Sequence, residues 1–477
     1  MSIDEFINGA MRPLADLVSE FIFYSIPVAG TEVPLIVAWL IAGGVFFTVY
    51  LGFINLRGFK HALHLVSGRY TDPSQPGEVT PFQALATAVS GTVGIGNIAG
   101  VAVAISMGGP GATMWLIIAG LLGMSTKFAE CTLAVKYRQT NDDGSVSGGP
   151  MYYLRHGLAL RKLPRVGHAL GMFYAVSMVI GCLGIGNMFQ SNQAAAILID
   201  VTGGGASYFQ DKAWVLGLVM AVVVAMVIMG GIKSIVKTTS KLVPFMAVLY
   251  VVSALSILVL NAGQLPGAIA QIWQGAFSAE SIGGGMIGVM IIGFRRAVFS
   301  NEAGLGSAAI AHSAVQTDEP ATEGFVSLLE PFIDTVVICT MTALVIVTTV
   351  YDPALADAGI SGIEMTTRAF ASTLSWSPVP LAVAAVLFAF STMISWSYYG
   401  LKALTYLTGE HRIVEVGFKF VFCAFIVLGS SVELGALIDL SDAMIYVVAI
   451  PNLLGLYLLA PVVREEMLSY RERLERY

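Results

Sequence analysis

Residues 82–107 form an apolar segment long enough to cross a bilayer, yet its centre reads Ser90-Gly91-Thr92-Val93-Gly94-Ile95-Gly96-Asn97. A glycine inside a helix costs about 1 kcal/mol relative to alanine, so Gly91, Gly94 and Gly96 together mark a break. The N–H and C=O groups that a break frees cannot face lipid; they are tolerated only inside protein or around a bound solute. This stretch therefore demands a shell of further membrane helices. Small residues also let two helices approach closely. Ser, Thr and Asn at the same depth add oxygen ligands and hydrogen-bond donors, which is the pattern of a binding segment in a transporter.

The chain supplies the shell. Its 477 residues are 56% hydrophobic and 12% charged, against about 25% charged in a soluble domain. The expectation is an all-α polytopic membrane protein with eleven transmembrane helices: 33–55, the broken span 82–107, then 112–137, 168–200, 212–232, 238–260, 282–312, 326–350, 379–406, 413–430 and 437–460. Residues 6–30, interrupted by Pro13 and Pro27, read as an interfacial helix. The first 32 residues carry Asp4, Glu5, Asp16 and Glu20 and lack a basic leader, so no signal peptide is expected. A net charge of −6 without a basic patch gives no reason to expect nucleic acid. The four cysteines stand singly in apolar segments and imply neither a disulfide nor a metal centre.

Orientation follows from lysine and arginine. With the C-terminus in the cytoplasm, eighteen of them fall in cytoplasmic segments and only Arg12, Lys212 and Arg368 outside. Eleven spans then put the N-terminus outside, in the inner (plasma) membrane. The tetrad Asn97-Ile98-Ala99-Gly100 returns as Asn301-Glu302-Ala303-Gly304, and Ser147-Gly148-Gly149-Pro150-Met151 as Ser361-Gly362-Ile363-Glu364-Met365. The second pair opens short amphipathic stretches, 150–160 and 363–374, on opposite sides of the membrane. Both pairs lie at equivalent points of two five-span halves, 82–260 and 282–460, so the repeat is inverted, with a binding site between two broken helices at the midplane. The remaining parts are 1–81, a connecting segment 261–281 and a cytoplasmic tail 461–477.

Val93-Gly94-Ile95-Gly96-Asn97, Gly108-Gly109-Pro110-Gly111-Ala112, Lys127-Phe128-Ala129-Glu130-Cys131-Thr132-Leu133, Ser147-Gly148-Gly149-Pro150-Met151-Tyr152-Tyr153 and Ser300-Asn301-Glu302-Ala303-Gly304-Leu305-Gly306-Ser307-Ala308 resemble the alanine or glycine:cation symporter family, the sodium:alanine symporters. The resemblance covers essentially the whole chain. It implies sodium- or proton-coupled uptake of alanine or glycine, and the leucine-transporter-like fold: a 5+5 inverted repeat plus one extra N-terminal helix. After Gly108-Gly109-Pro110-Gly111-Ala112 the family has an aromatic-rich run; here Thr113-Met114-Trp115-Leu116-Ile117 keeps one tryptophan.

On that basis the site residues can be named. A zwitterion needs donors for its carboxylate and acceptors for its ammonium, and the amides from Gly94 to Asn97 open the second half-helix with a favourable dipole. Thr92, Gly94, Asn97, Gln190, Phe299, Ser300, Thr392 and Trp396 are the candidate substrate contacts, with Trp396 limiting side-chain size. Sodium takes neutral hard oxygens, offered by the carbonyls of Ser90 and Val93 and by Ser391, Thr392 and Ser395. By resemblance to the leucine-transporter fold, the helix 379–406 and the first broken helix share that cation. Ser and Thr hydroxyls also bond their own helix. Arg295, Arg296 and Glu302 flank the second break as a candidate gate, the arginines pairing with Glu302, Glu330 or Asp334, because an arginine fixed on the substrate would hold it too tightly for release. Lys127 and Glu130, at i and i+3, read as a structural pair near the cytoplasmic end. Neither a His-Glu-x-x-His motif nor a convergent aspartate pair favours an enzyme. No organic cofactor is implied, only a co-transported cation, and a homo-oligomer stays open. A proton-coupled symporter and an amino-acid sensor on the same scaffold are the rival readings; the absence of a carboxylate among the candidate cation ligands leans towards sodium.

Overall fold

The computed structural model describes residues 19–28, 30–70, 72, 74–141, 144–278, 285–352 and 362–474. Of the expected interfacial helix, residues 1–18 lie outside this set. Residues 19–22 are helical, but β1 (Ser25–Val28) and β2 (Thr31–Pro34) then pair as an antiparallel hairpin. Pro27 and Pro34, which cannot continue a helix, sit on opposite strands of a short ribbon that tolerates them.

Helix α1 (Leu35–Tyr50) leads to the short amphipathic α2 (Phe59–Val66). The first broken span is α3 (Pro81–Thr92) and α4 (Ala99–Gly108), bent by 60° across a 3-10 turn at Ile95–Asn97. Its start is fixed by a capping box: Thr80 Oγ1 accepts from the Gln83 N–H at 3.3 Å and Gln83 Oε1 accepts from the Thr80 N–H at 3.0 Å, with Pro81 at the first helical position. Then come α5 (Ala112–Lys136), the two-residue strands β3 (Gln139–Thr140) and β4 (Val146–Ser147), α6 (Pro150–Leu160), α7 (Pro164–Val201), α8 (Ala213–Ile228) and α9 (Gly231–Leu260). A π-turn interrupts α7 at Gly184–Met188. Helix α10 (Leu265–Phe277) occupies the expected connecting segment; Ala268, Ile272 and Ala276, four residues apart, bury its narrow apolar seam.

A similar order of elements follows after α10. It runs α11 (Gly285–Asn301), an unwound stretch, α12 (Ser307–His312), α13 (Pro320–Thr349), α14 (Ile363–Thr373), α15 (Pro378–Thr408), α16 (Arg412–Gly429) and α17 (Leu434–Leu474). Ser361 of the repeated motif lies outside the described residues. Helix α17 runs well past the expected residue 460, through Pro451 and Pro461. Ion pairs of Glu466 with Lys136 and of Arg473 with Glu319 (2.5 Å) tie its extension to the rest of that end of the molecule.

Each expected span is helical over most of its length. Among the described residues, six single helices are long and apolar enough to cross a membrane, seven with the bent pair; α1 and α8 are shorter apolar helices. Phe245, Val248, Val252, Leu255 and Val259 of α9 face outward, as an integral membrane protein requires of a helix against lipid. The interior is organised around the two broken spans: α3 packs on α9 and α15, α11 on α5 and α4, and α12 on α3.

Candidate functional site

The first break is held by side chains that take over the backbone groups it frees. Gly94 donates its N–H to Asn97 Oδ1 at 2.9 Å, and Ile95 donates to Gln190 Oε1 at 3.0 Å. Gln190 Nε2 in turn donates to the Ile185 carbonyl, inside the π-turn of α7, at 3.0 Å. The carbonyls of Asn97 and Ile98 accept from Thr342 (2.8 Å) and Thr366 (3.1 Å). A β-carbon on Gly94 would stand 2.5 Å from Thr392 Oγ1 and 3.0 Å from Gln190 Oε1, so only glycine lets these three elements meet. Asn97 Nδ2 donates to Asp334 Oδ1 at 2.6 Å, and Ser300 Oγ donates to Asp334 Oδ2 at 2.7 Å. One carboxyl on α13 thus receives donors from both broken spans.

Beside this lies a cluster of neutral oxygens between α3 and α15. Thr392 Oγ1 donates to the Ser90 carbonyl at 3.1 Å and Ser391 Oγ lies 3.4 Å from it; Ser90 Oγ donates to the Ser391 carbonyl at 2.7 Å. Ser395 Oγ lies 2.9 Å from Ser90 Oγ and 3.0 Å from the Thr87 carbonyl, within hydrogen-bond reach of both with its one proton. Ser90, Ser391, Thr392 and Ser395 are all buried. Thr87, one turn before Ser90, joins them through its backbone carbonyl, a group that residue type does not signal, while its hydroxyl bonds Gln83 and Thr239. Val93 ends α3 and, among the described residues, takes no part in the bonds between the two helices. Thr92 Oγ1 turns back to Ala88 and Val89 of its own helix, both at 3.4 Å.

The second break passes through Glu302, Gly304 and Gly306, all at positive φ. Glu130 Oε1 accepts from the N–H groups of Gly304 (2.9 Å) and Gly306 (3.1 Å) and from Asn452 Nδ2 (2.8 Å). Glu302 accepts from Ser307 on one oxygen and from Trp396 Nε1, at 2.9 Å, on the other. The same indole N–H lies 3.3 Å from the Gly91 carbonyl, so Trp396 links both breaks to α15. Its ring lies flush on Gly186, where a β-carbon would come within 2.0 Å of it. Phe299 meets Phe189 edge-on at 4.8 Å and lies beside Gly96.

The structure corrects two expected pairings. Arg295 donates to Asp442 at 2.7 Å and Arg296 contacts the same carboxylate on α17; neither pairs with Glu302, Glu330 or Asp334. Glu302 stands just past the last turn of α11 and its carboxylate is taken up by Ser307 and Trp396, which leaves the arginines to Asp442. Lys127 pairs with Glu330 at 2.9 Å rather than with Glu130, because α13 lies directly along α5. Asp334, Glu130 and Asp442 carry more of the local architecture than their isolated positions in apolar sequence disclosed.

A family model described as the sodium:alanine symporter family matches residues 20–477. The sodium/alanine symporter AgcS of Methanococcus maripaludis is 40% identical over 442 residues, 92% of this chain and 94% of that protein. The amino-acid carrier protein AlsT of Bacillus subtilis is 32% identical over 473 residues, 99% of this chain and 94% of its own. Among solved structures, MhsT in complex with L-phenylalanine superposes with a TM-score of 0.57 at 13% identity, covering 83% of this chain and all of that one.

Proposed function

The chain belongs to the sodium:alanine symporter family, and from that premise we propose that it imports alanine, glycine or both together with sodium by alternating access. Amino-acid:cation symport is the chemistry of the family; the cargo, the cation and their sites are the reading developed here. The observation that carries it is the meeting of two unwound segments at one carboxyl, Asp334, beside a buried set of neutral oxygens.

The roles follow from the groups present. Sodium is held by Ser90, Ser391, Thr392 and Ser395, whose hydroxyls and carbonyls now bond one another and turn to the cation when it binds; the Val93 carbonyl completes the set once the break opens. The substrate carboxylate takes the Gly94 and Ile95 N–H groups from Asn97 and Gln190, at the positive end of the following helix. Thr92, Phe299, Ser300 and Thr392 complete the cavity, and Trp396 against Gly186 excludes larger side chains. Arg295 and Arg296 gate through Asp442, and Glu302 through Trp396. The matching order of the two halves supports eleven crossings in a 5+5 inverted repeat, with units 82–260 and 282–460. The lysine and arginine bias supports an outside N-terminus in the inner membrane.

Uptake of labelled alanine into proteoliposomes tests this, with an imposed Na⁺ gradient and then an imposed H⁺ gradient. Wild type is expected to accumulate alanine only with sodium, and Asn97→Ala and Thr392→Ala to lose at least about tenfold, the effect of roughly one lost hydrogen bond to a charged group. Binding without flux under either gradient would make the protein a sensor. Full flux in both variants would move the site elsewhere.

A further inference from the structure

Two concavities meet at Lys419 on α16. One is an apolar groove of about 840 Å³ between α8 and α16, walled by Leu218, Val222, Phe420 and Val427 and open towards the bilayer. The other is a polar pocket of about 610 Å³ at the ends of α8 and α15, bordered by Tyr398, Lys402, Glu410 and Glu415. Lys419 lines both. Its side chain is only 8% exposed. Among the described residues it has no ion pair or hydrogen bond, whereas Lys402 has Glu410 at 3.8 Å.

An ammonium taken out of water without an anion is strongly unfavourable. Lys419 stands seven residues inside α16, about 10 Å along its axis. A lysine at such a position ordinarily lifts its charge into water; here the polar pocket receives it instead. Glu415 lies one turn closer to the start of the helix and also lines the pocket. The carboxylate thus stands nearer the start of α16 and the unpaired positive charge further along it, where Lys419 also borders the apolar groove.

We propose that this cleft binds one phosphatidylethanolamine molecule: phosphate on Lys419, ethanolamine ammonium on Glu415, and one acyl chain along the groove. Both signs of charge in the pocket match both signs in that headgroup. Phosphatidylcholine has no N–H to give Glu415, and phosphatidylglycerol has no cation for it. The assignment rests on the membrane setting alone and not on what the protein transports, so the two readings fail independently.

The test is native mass spectrometry of the full chain released from nanodiscs of equimolar phosphatidylethanolamine, phosphatidylglycerol and phosphatidylcholine. One phosphatidylethanolamine is expected to be retained, preferred about tenfold over the other two, as a charge-assisted contact implies. Lys419→Met, which removes a buried charge, is expected to stay folded by size exclusion and to lose the bound lipid. Glu415→Gln is expected to keep a phospholipid but lose the preference for ethanolamine. Equal retention of all three lipids, preference for phosphatidylglycerol, or undiminished retention in Lys419→Met would overturn the proposal.

Discussion

Lys127 has no contact with solvent, and neither has Glu330, its partner at 2.9 Å. Removing one member of a buried ion pair costs about 3–5 kcal/mol, because the other charge is left alone; replacing both by apolar groups of similar size is often close to neutral. Lys127→Met is therefore expected to lower the thermal midpoint of the detergent-solubilised protein steeply. Lys127→Met combined with Glu330→Leu is expected to recover most of the loss, since His312 keeps Glu323 at 2.5 Å. A double variant as unstable as the single one would show that the 3.6 Å approach of His312 to Glu330 matters more than the lysine pair. The sequence offers Lys127 a neighbour at i+3, Glu130, and shows Glu330 and His312 standing far from it along the chain. Which of them meet depends on how α5 and α13 are laid together, and no local spacing encodes that.

Three elements converge on the indole N–H of Trp396: its own helix α15, the first break through the Gly91 carbonyl and the second through Glu302. The oxygen cluster begins one residue earlier, at Ser395. On the proposed cation site, binding there fixes α15 against α3 and hence fixes the indole against the first break. Trp396→Phe keeps an aromatic ring and removes the N–H. It is expected to reduce the enhancement of alanine affinity by sodium about tenfold, as a lost hydrogen bond to a charged group would, while Glu302→Gln, which preserves an acceptor, keeps most of it. Equilibrium binding of alanine to purified protein with and without sodium measures this; unchanged coupling in Trp396→Phe would separate the indole from the linkage. The positions of both breaks were readable, because Gly91, Gly94 and Gly96 and the Asn301–Gly304 repeat disturb helical backbone locally. The amphipathic segments at 150 and 363 were readable for the same reason. Pairings across a break were not: Arg295 and Arg296 meet Asp442 of α17, and Glu302 meets Trp396 of α15, partners so far along the chain that no local spacing encodes them. Helix α10 escaped notice because its buried seam of Ala268, Ile272 and Ala276 is too narrow to register as a periodic face.

At the scale of the molecule, the order broken, long, short, long, medium, long occurs twice. If the repeat is inverted, Arg161, just past α6, and Ala371, near the end of α14, lie on opposite sides of the membrane; both are exposed. Cys131, Cys182 and Cys339 are buried and Cys423 is half-buried, so a cysteine introduced at either position dominates labelling. An impermeant maleimide applied to intact cells is expected to modify Ala371→Cys and to spare Arg161→Cys until the cells are opened. Labelling of both from one side would exclude the inversion. Asp334, finally, bears on how faithfully such a machine couples its two cargoes. Its carboxyl accepts from Asn97 of one half and from Ser300 and Thr335 of the other. Parting Asn97 from Asp334 before a new partner arrives leaves Oδ1 without its donor, while Ser300 and Thr335 stay on Oδ2; a buried polar group left unsatisfied costs about 2–7 kcal/mol. On the proposed mechanism that cost makes half-open forms scarce, and scarcity of half-open forms is what keeps an ion gradient from slipping away while no amino acid is on board.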